Sequence, residues 1–297
     1  MNQHINCIQK ACQRLSIPYE HIGSSGAFLR CWINDQTYTF IANEVPFNSH
    51  IVTRITSDKT FTGELLKEVI ALPKSKSYID PDCEPVFQPF REFQSVAEIE
   101  EDIMNHFSFP LVIKMNRGSQ GKNVFKCTNS AEIQNALHHI YDQSSRLYDH
   151  VALVQAYVPI AREFRVIVFQ QEIMLVYEKD FSEATFVGNL SPFHWDGAHA
   201  RVITDQTLIK QIADHIQPMY SELDLQYGGL DVAVDTNGKM WLFEINTKPA
   251  YNYLIADVGE EVLVELYSRI FSCSTVSSLL VQIRLLESRT HAYLKVI

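Results

Sequence analysis

Polar and apolar residues alternate in two short runs near the C-terminal end of the chain, with the period of two that is typical of β-strands. The runs lie within residues 227–252, and Asn237-Gly238 separates them. Both turn residues tolerate a positive φ, so the pattern predicts a β-hairpin. If they form a two-residue loop, Asp231 pairs with Glu244. A four-residue loop shifts the register by two and still leaves both carboxylates on one face.

The same alternation gives the predicted hairpin one polar face and one apolar face. Asn246 follows Glu244 at a spacing of two and joins Asp231 on the polar face. The opposite face, which is predicted to be buried, carries Trp241, Phe243 and Ile245. Like charges on neighbouring strands destabilise the pair unless something neutralises them, and Mg²⁺ prefers oxygen ligands of this kind. The hairpin therefore indicates a metal site.

Hydrophobic periodicity predicts helices and strands along the rest of the chain. Helices are predicted at residues 5–15, 60–70, 95–107, from Ser130 onward and at about 205–222. Strands are predicted at residues 27–33, 37–41, 111–115, 123–127, 151–157, 163–169 and 172–177. The proline-containing stretch 73–89 is predicted to be a connector. Strands followed by helices, with antiparallel hairpins, indicate an α+β protein and no Rossmann sheet.

Composition narrows the classes of function. The chain has 297 residues, of which 46% are hydrophobic and 20% charged, which is enough for two or three packed units of a soluble protein. A net charge of −10 argues against a general surface for nucleic acid or for an anionic membrane. No apolar run fits a signal peptide or a membrane span, and six cysteines without CxxC spacing are typical of a reduced protein. We expect a cytoplasmic protein without nucleic-acid or membrane partners.

A second group of chemically informative residues lies upstream, within residues 109–127. Lys114 occupies an apolar strand just before the turn formed by residues 117–122, which contains two glycines. Such a turn lets consecutive N–H groups converge on phosphate oxygens, and Lys114 supplies a positive charge. On its own, such a turn is more often a plain connection between strands. It has neither the Walker spacing nor a GxGxxG dinucleotide fingerprint.

The order of these parts resembles the ATP-grasp superfamily over about residues 55–270. The resemblance is closest to the ATP-dependent carboxylate–amine ligases, particularly the ribosomal-protein glutamate ligases and the ATP-grasp part of cyanophycin synthetase. The motifs that carry it are Asp58-Lys59 through Leu65-Leu66 to Pro73, Val112-Ile113-Lys114 with Gly118, Gly121 and Val124, the segment LVQAYV, and Glu244-Ile245-Asn246.

The resemblance implies an α+β ATP-grasp fold, with ATP held between two α+β subdomains that follow a small N-terminal α/β domain. We expect an N-terminal substrate-side domain at 1–57, a central lid subdomain at 58–153 and a C-terminal subdomain with the metal site at 154–297.

The resemblance also implies roles for individual residues. Those implied to bind ATP are Lys59, Lys114, Gly118, Ser119, Gln120, Gly121, Gln155, Tyr157, Val158 and Glu163. Those implied to act at the reacting group are Arg165, Lys179 and Asn189. Asp231, Glu244 and Asn246 match the ligands of one or two Mg²⁺ ions, with Mn²⁺ as an alternative ion.

The implied function is ligation of a carboxylate to an amine through an acyl phosphate, with an amino acid or peptide as substrate and ADP and phosphate as products. Two alternatives remain open: a kinase that phosphorylates a hydroxyl at the same site, and a non-catalytic nucleotide-binding or regulatory protein. The oligomeric state also remains open, although relatives are commonly dimers or tetramers, so a homo-oligomer is one option.

Some positions depart from the family pattern. Ala156 replaces a hinge glutamate, and residues 247–250 replace a glycine-containing turn. Lys248 in that turn either binds an acidic substrate or is solvated, and Arg165 either acts on the substrate or neutralises a buried acid such as Glu178. The 181–200 loop lacks an arginine that the ribosomal-protein ligases carry, so we expect a different substrate preference.

Overall fold

The computed structural model describes residues 2–118, 121–185 and 197–273. The α-helices with both ends described are α1 (Gln3–Arg14), α2 (His50–Thr56), α3 (Lys59–Leu66), α4 (Val96–His106), α5 (Ser130–Ile140), α6 (Gln206–Ile216) and α7 (Asn252–Val258), and residues 261–273 are also helical. The strands are β1 (Tyr19–His21), β2 (Phe28–Ile33), β3 (Gln36–Ile41), β4 (Ser75–Ile79), β5 (Leu111–Met115), β6 (Val124–Cys127), β7 (Val151–Ala156), β8 (Ile160–Phe169), β9 (Glu172–Asp180), β10 (His199–Val202), β11 (Tyr227–Asp235) and β12 (Met240–Asn246).

The chain divides into two compact units, one formed by Asn48–Thr247 and the other by the residues before and after that segment. The smaller unit contains α1, α7 and the antiparallel sheet β1-β2-β3. Asn2 caps α1 by accepting a hydrogen bond from the N–H of Ile5. Asn34 and Asp35 form the turn between β2 and β3, where they adopt φ values of 50° and 62°.

The Asn48–Thr247 unit contains two sheets. The four-stranded sheet has the order β4-β7-β5-β6, and its core is shared with α4 and α5 through residues such as Ile103 and Ile133. The prediction of a connector at 73–89 is wrong for Ser75–Ile79, which form strand β4. Its flanking prolines, Pro73 and Pro81, lie outside the strand, where they remove no hydrogen bond from the ladder with β7.

The five-stranded sheet has the order β10-β9-β8-β11-β12, with every neighbouring pair antiparallel. One face forms a core with α2, α3 and α6, in which Val52, Leu66 and Ile212 pack on Phe164 and Val166. Helix α2 was not predicted, although Ser49 caps it by accepting from the N–H of Val52. The opposite face of this sheet carries the polar residues described below.

The hairpin of β11 and β12 pairs Asp231 with Glu244, as predicted, but its turn and the register next to the turn differ from the prediction. The turn is wider than two residues, and only Gly238 of the two predicted turn residues has a positive φ, of 83°. This turn places Val234 opposite Met240, which is one residue out of the predicted register. A β-bulge between Asp231 and Val232 restores the register beyond it.

The bulge also changes which residues of β12 face the core, so the predicted faces are partly wrong. Leu242 pairs with Val232 and Glu244 with Asp231, so Phe243 is the extra residue and inverts the alternation. Ile245 lies in the core as predicted, but its companions there are Leu242 and, partly buried, Met240. Trp241 lies on the other face, where its Nε1 donates a hydrogen bond of 2.9 Å to Asp235 Oδ2.

All six cysteines are free, and five of them are buried, which agrees with the expectation of reduced thiols. Within the described residues, the structure contains no helix that combines the length and apolarity needed to cross a bilayer.

Candidate functional site

A cleft opens within the Asn48–Thr247 unit. Elements of both sheets line it, together with α3. Its polar lining includes Lys59, Lys114, Gln155 and Glu244. Its apolar lining consists of Leu72, Pro73, Leu153, Leu242, Phe243 and Ile245. The cleft therefore combines positive charge with an apolar wall, which suits a ligand with a charged end and a flat apolar body.

Four polar side chains form a row across the face of the five-stranded sheet that lies opposite the core with α6. The cross-strand pairs are Tyr177 with Arg165, Arg165 with Asp231, and Asp231 with Glu244. Arg165 binds Asp231 through two hydrogen bonds, Nε to Oδ1 at 2.6 Å and a terminal nitrogen to Oδ2 at 3.2 Å. This bidentate pair fixes the orientation of both groups.

Lys179 adds a second positive charge beside Asp231, with its Nζ 3.0 Å from Oδ1. The same ammonium forms a short ion pair with Glu163, and all three side chains are largely buried. Burial opposes the charged form of Asp231, but Arg165 and Lys179 outweigh it and hold the pKa of this carboxyl below its usual range. Burial likewise opposes the charge on Lys179, yet Asp231 and Glu163 raise its pKa. Asp231 and Lys179 are therefore ionised at neutral pH.

Two further lysines reach the cleft from the other side. Lys59 Nζ donates to the carbonyl of Gly118 at 2.6 Å and lies 3.5 Å from Glu244 Oε1. Lys114 Nζ donates to Gln155 Oε1 at 2.9 Å in a buried position. Burial and the nearby charge of Lys59 lower the pKa of Lys114 to about 8. Lys114 thus approaches the carboxylate row from β5, in the sheet that carries the glycine turn, and Lys59 approaches it from the first residue of α3.

The remaining predicted site residues have different outcomes. Gly118 and Gly121 lie within the turn at 117–122, and Gly121 has a φ of 65°. Ser119, Gln120 and Asn189 lie outside the described residues. Tyr157 and Val158 follow β7, where Lys126 Nζ lies 4.2 Å above the Tyr157 ring. Asn246 lies opposite Gly229 at the end of β12.

The structure bears on two alternatives left open by the sequence. Arg165 has a buried acidic partner, which is Asp231, whereas Glu178 binds Arg162 and Arg201. Lys248 forms an ion pair of 2.5 Å with Glu44, and both side chains are about half exposed to solvent.

Sequence reasoning missed two residues at the site. Tyr177 is opposite Arg165, which the register of β8 and β9 reveals and the sequence alone does not. Asn116 lies at the end of β5 and binds the N-terminal turn of α3. Its spacing of two from Lys114 places both on one strand face, which was the available signal.

Comparisons with known proteins agree with this geometry. Residues 84–270, more than half of the chain, match the RimK-like ATP-grasp domain. D-alanine--D-alanine ligase B of Clostridium perfringens (strain 13 / Type A) is 22% identical over 158 residues, which are 52% of this chain and 50% of that protein. The chain therefore spans about half the length of this curated relative.

Solved structures also share the fold. VanG D-Ala:D-Ser ligase from Enterococcus faecalis superposes with a TM-score of 0.52 and 15% identity, covering 74% of this chain and 63% of the other. D-alanine--D-alanine ligase from Bacillus anthracis gives 0.50 and 16%, covering 77% and 72%. Identities this low establish the fold alone. Together with the domain match, they show that the chain has an ATP-grasp fold and belongs to the RimK-like ATP-grasp family.

Proposed function

We propose that this protein is an ATP-dependent ligase that joins a carboxylate to an amine through an acyl phosphate. The observation that carries the proposal is the charge arrangement around the cleft. Lys59, Lys114, Arg165 and Lys179 surround the opposed carboxylates Asp231 and Glu244. Phosphoryl transfer requires alignment and neutralisation of oxygen charge rather than covalent help from the protein. Four cations beside two opposed carboxylates supply these conditions.

The reaction proceeds in two steps. The γ-phosphoryl group passes to a carboxylate oxygen of the acid, the bond to the β-phosphate oxygen breaks, and ADP leaves. The amine nitrogen then attacks the acyl carbon, the carbon–oxygen bond to phosphate breaks, and the amine gives up a proton. This route is needed because hydroxide is a poor leaving group, whereas phosphate is a good one. In this proposal Lys59 and Lys114 hold the phosphates, and Arg165 and Lys179 lie near the transferred group.

The polar end of β12 fits a hard divalent cation. Asp231 and Glu244 face each other, and the amide of Asn246 follows two residues later. Among the described residues no cluster of three His, Cys, Asp or Glu side chains forms a metal site by itself. A cation here therefore depends on Asp231, Glu244 and Asn246 together with oxygens of the bound nucleotide. Mg²⁺ bound at these residues would neutralise phosphate charge.

Several finer assignments belong to the same proposal. The substrate is an amino acid or a peptide, in keeping with the D-Ala and D-Ser named for the similar ligases. Gln155, Tyr157 and Val158 bind the adenine side of ATP, and Glu163 binds the ribose. The cytoplasm as location, the three-part division at residues 57 and 153 and a homo-oligomeric state remain predictions.

The test is a product assay with Mg-ATP and a panel of amino acids, dipeptides and peptide tails. The proposal expects equal amounts of ADP and free phosphate together with an amide detected by mass spectrometry. A phosphorylated acceptor without free phosphate would favour the kinase, and nucleotide binding without ADP formation across the panel would favour a non-catalytic protein. Arg165→Met should abolish product formation. Arg162→Met, on the opposite face of the same strand, controls for loss of a β8 arginine.

A further inference from the structure

A compact hydrogen-bond network joins α3 to the end of β5, next to the glycine turn. Asn116 Nδ2 donates to Asp58 Oδ1 at 2.8 Å, and both side chains are buried. Asn116 Oδ1 accepts from the N–H of Thr60 at 2.9 Å and from its hydroxyl at 3.0 Å. Each polar atom of the Asn116 amide therefore has a partner in the first turn of α3.

Asp58 has a matching set of partners. Its Oδ1 accepts from the N–H of Phe61 at 3.1 Å, so Asp58 is the N-cap of α3. Its Oδ2 accepts from Nε of Arg117 at 3.2 Å. One carboxylate thus caps the helix that begins with Lys59 and also binds the first residue of the turn that contains Gly118.

Lys59 lies between these two anchors. Its side chain connects the carbonyl of Gly118 with Glu244 on β12, and its own N–H lies 3.4 Å from the carbonyl of Asn116. A long lysine side chain loses considerable rotamer freedom when held in one place, so its backbone must be fixed for its ammonium to be placed reproducibly. The Asp58–Asn116 pair fixes that backbone.

We propose that Asp58 and Asn116 form a positioning pair that sets the place of the Lys59 ammonium and of the Arg117–Gly118 peptide at the phosphate end of the cleft. The proposal rests on the proposed function, since it assumes that phosphates bind there. Neither residue needs to touch the nucleotide. Their removal is expected to weaken nucleotide binding and loosen the start of the turn.

The pair permits an exchange experiment. Asn116→Asp places two carboxylates at a 2.8 Å contact and should weaken Mg-ATP binding, measured by calorimetry, roughly tenfold or more. The double variant Asp58→Asn with Asn116→Asp restores a donor and an acceptor across the contact. The carboxylate introduced by Asn116→Asp also keeps the acceptor for Thr60. The donor of Asp58→Asn replaces Oδ1 of Asp58, so the N-cap bond from Phe61 is lost, while the remaining oxygen still accepts from Arg117. The double variant should therefore bind Mg-ATP more tightly than Asn116→Asp and more weakly than the wild type.

A second readout does not depend on nucleotide. Trypsin cleavage after Arg117 should be faster in Asn116→Asp than in the wild type, and the double variant should be cleaved more slowly than Asn116→Asp. Asn129→Asp is the matched control, because Asn129 caps α5 and Asp preserves that cap while adding the same charge. Thermal unfolding of each variant identifies those that fail to fold.

The outcomes separate the two proposals. The positioning pair is overturned if folded Asn116→Asp binds Mg-ATP like the wild type, if its cleavage after Arg117 is unchanged, or if the double variant improves on Asn116→Asp in neither measurement. If the wild type does not bind Mg-ATP, the proposed function fails, while the cleavage rates still test whether the pair holds the turn.

Discussion

Asp231 and Glu244 lie directly opposite each other because a β-bulge at Phe243 corrects the register that the hairpin turn imposes. Without the bulge, the one-residue offset at Val234 and Met240 would continue along the strands and place Glu244 on the core face. Bulges often occur next to functional sites, where they redirect a side chain. The bulge therefore turns Glu244 toward Lys59 and the cleft.

Glu244→Gln should reduce ATP-dependent turnover roughly 100-fold or more while the protein stays folded. The amide keeps the size of the side chain but removes the charge that faces Asp231 and Lys59. The Lys59–Glu244 contact is 3.5 Å long and partly exposed, so its loss should change the free energy of unfolding by less than about 1 kcal/mol. Kinetics and thermal unfolding measure the two effects. Glu172→Gln, at the exposed start of β9, is the control, and wild-type turnover by Glu244→Gln would refute the metal assignment.

Asp231→Asn should lower the free energy of unfolding. Arg165 and Lys179 would remain buried without their shared carboxylate, which typically costs about 3–5 kcal/mol. Denaturant unfolding measures this loss, and Asp214→Asn in the exposed Lys210–Asp214 pair should have no measurable effect.

The same substitution has a pH signature. The pKa of Asp231 is lowered in the folded protein, so its stabilising contribution is complete above the usual aspartate pKa of about 3.9 and is lost as the pH falls below it. The free energy of unfolding should therefore decline less steeply in acid for Asp231→Asn than for the wild type. Equal slopes would show that Asp231 is not held ionised by its neighbours.

Local pattern was sufficient to predict some features of the site. Strand β5 has the predicted bounds, because an apolar run followed by a glycine turn needs no distant information. The pairing of Asp231 with Glu244 was also predicted correctly, although the turn type was not. The bulge could not be foreseen, since the alternation of polar and apolar residues does not show where β12 carries an extra residue.

Features that depend on distant partners were missed. The ladder of β4 is provided by β7, whose residues are more than seventy positions away, so an isolated five-residue run between prolines carries no strand signal. Asn116 is likewise an ordinary polar residue until Asp58, 58 positions earlier, is brought against it. For Arg165 the sequence offered a buried acid such as Glu178 as one of two alternatives, whereas the acid that binds it is Asp231 on the neighbouring strand.

Gly238→Ala tests the turn that sets the register. Gly238 has a φ of 83°, and a Cβ there would meet no atom within 4 Å, so the cost is backbone strain alone. We expect a loss of about 1–2 kcal/mol in the free energy of unfolding. Gly238→Asn should cost less, because Asn adopts positive φ more readily than Ala. Equal stabilities of Gly238→Ala and the wild type would mean that the turn adopts another conformation.

The pKa of Lys114 predicts how nucleotide affinity depends on pH. In the ligand-free protein this pKa is about 8, because of burial and the nearby Lys59, so the ammonium loses its proton as the pH rises through 8. Only the protonated form attracts phosphate, so the affinity for Mg-ATP should fall above pH 8, and binding at pH 8.5 should take up more than about half a proton. Calorimetry in two buffers of different ionisation enthalpy measures this uptake.

Lys114→Arg is the informative comparison, since arginine stays protonated throughout this range. The variant is expected to bind more weakly at pH 7, because a planar guanidinium does not reproduce the contact with Gln155. Its affinity should nevertheless stay constant between pH 7 and 9, with no proton uptake at pH 8.5. A pH-independent affinity in the wild type, or the same proton uptake in Lys114→Arg, would exclude Lys114 as the titrating group at the phosphate site.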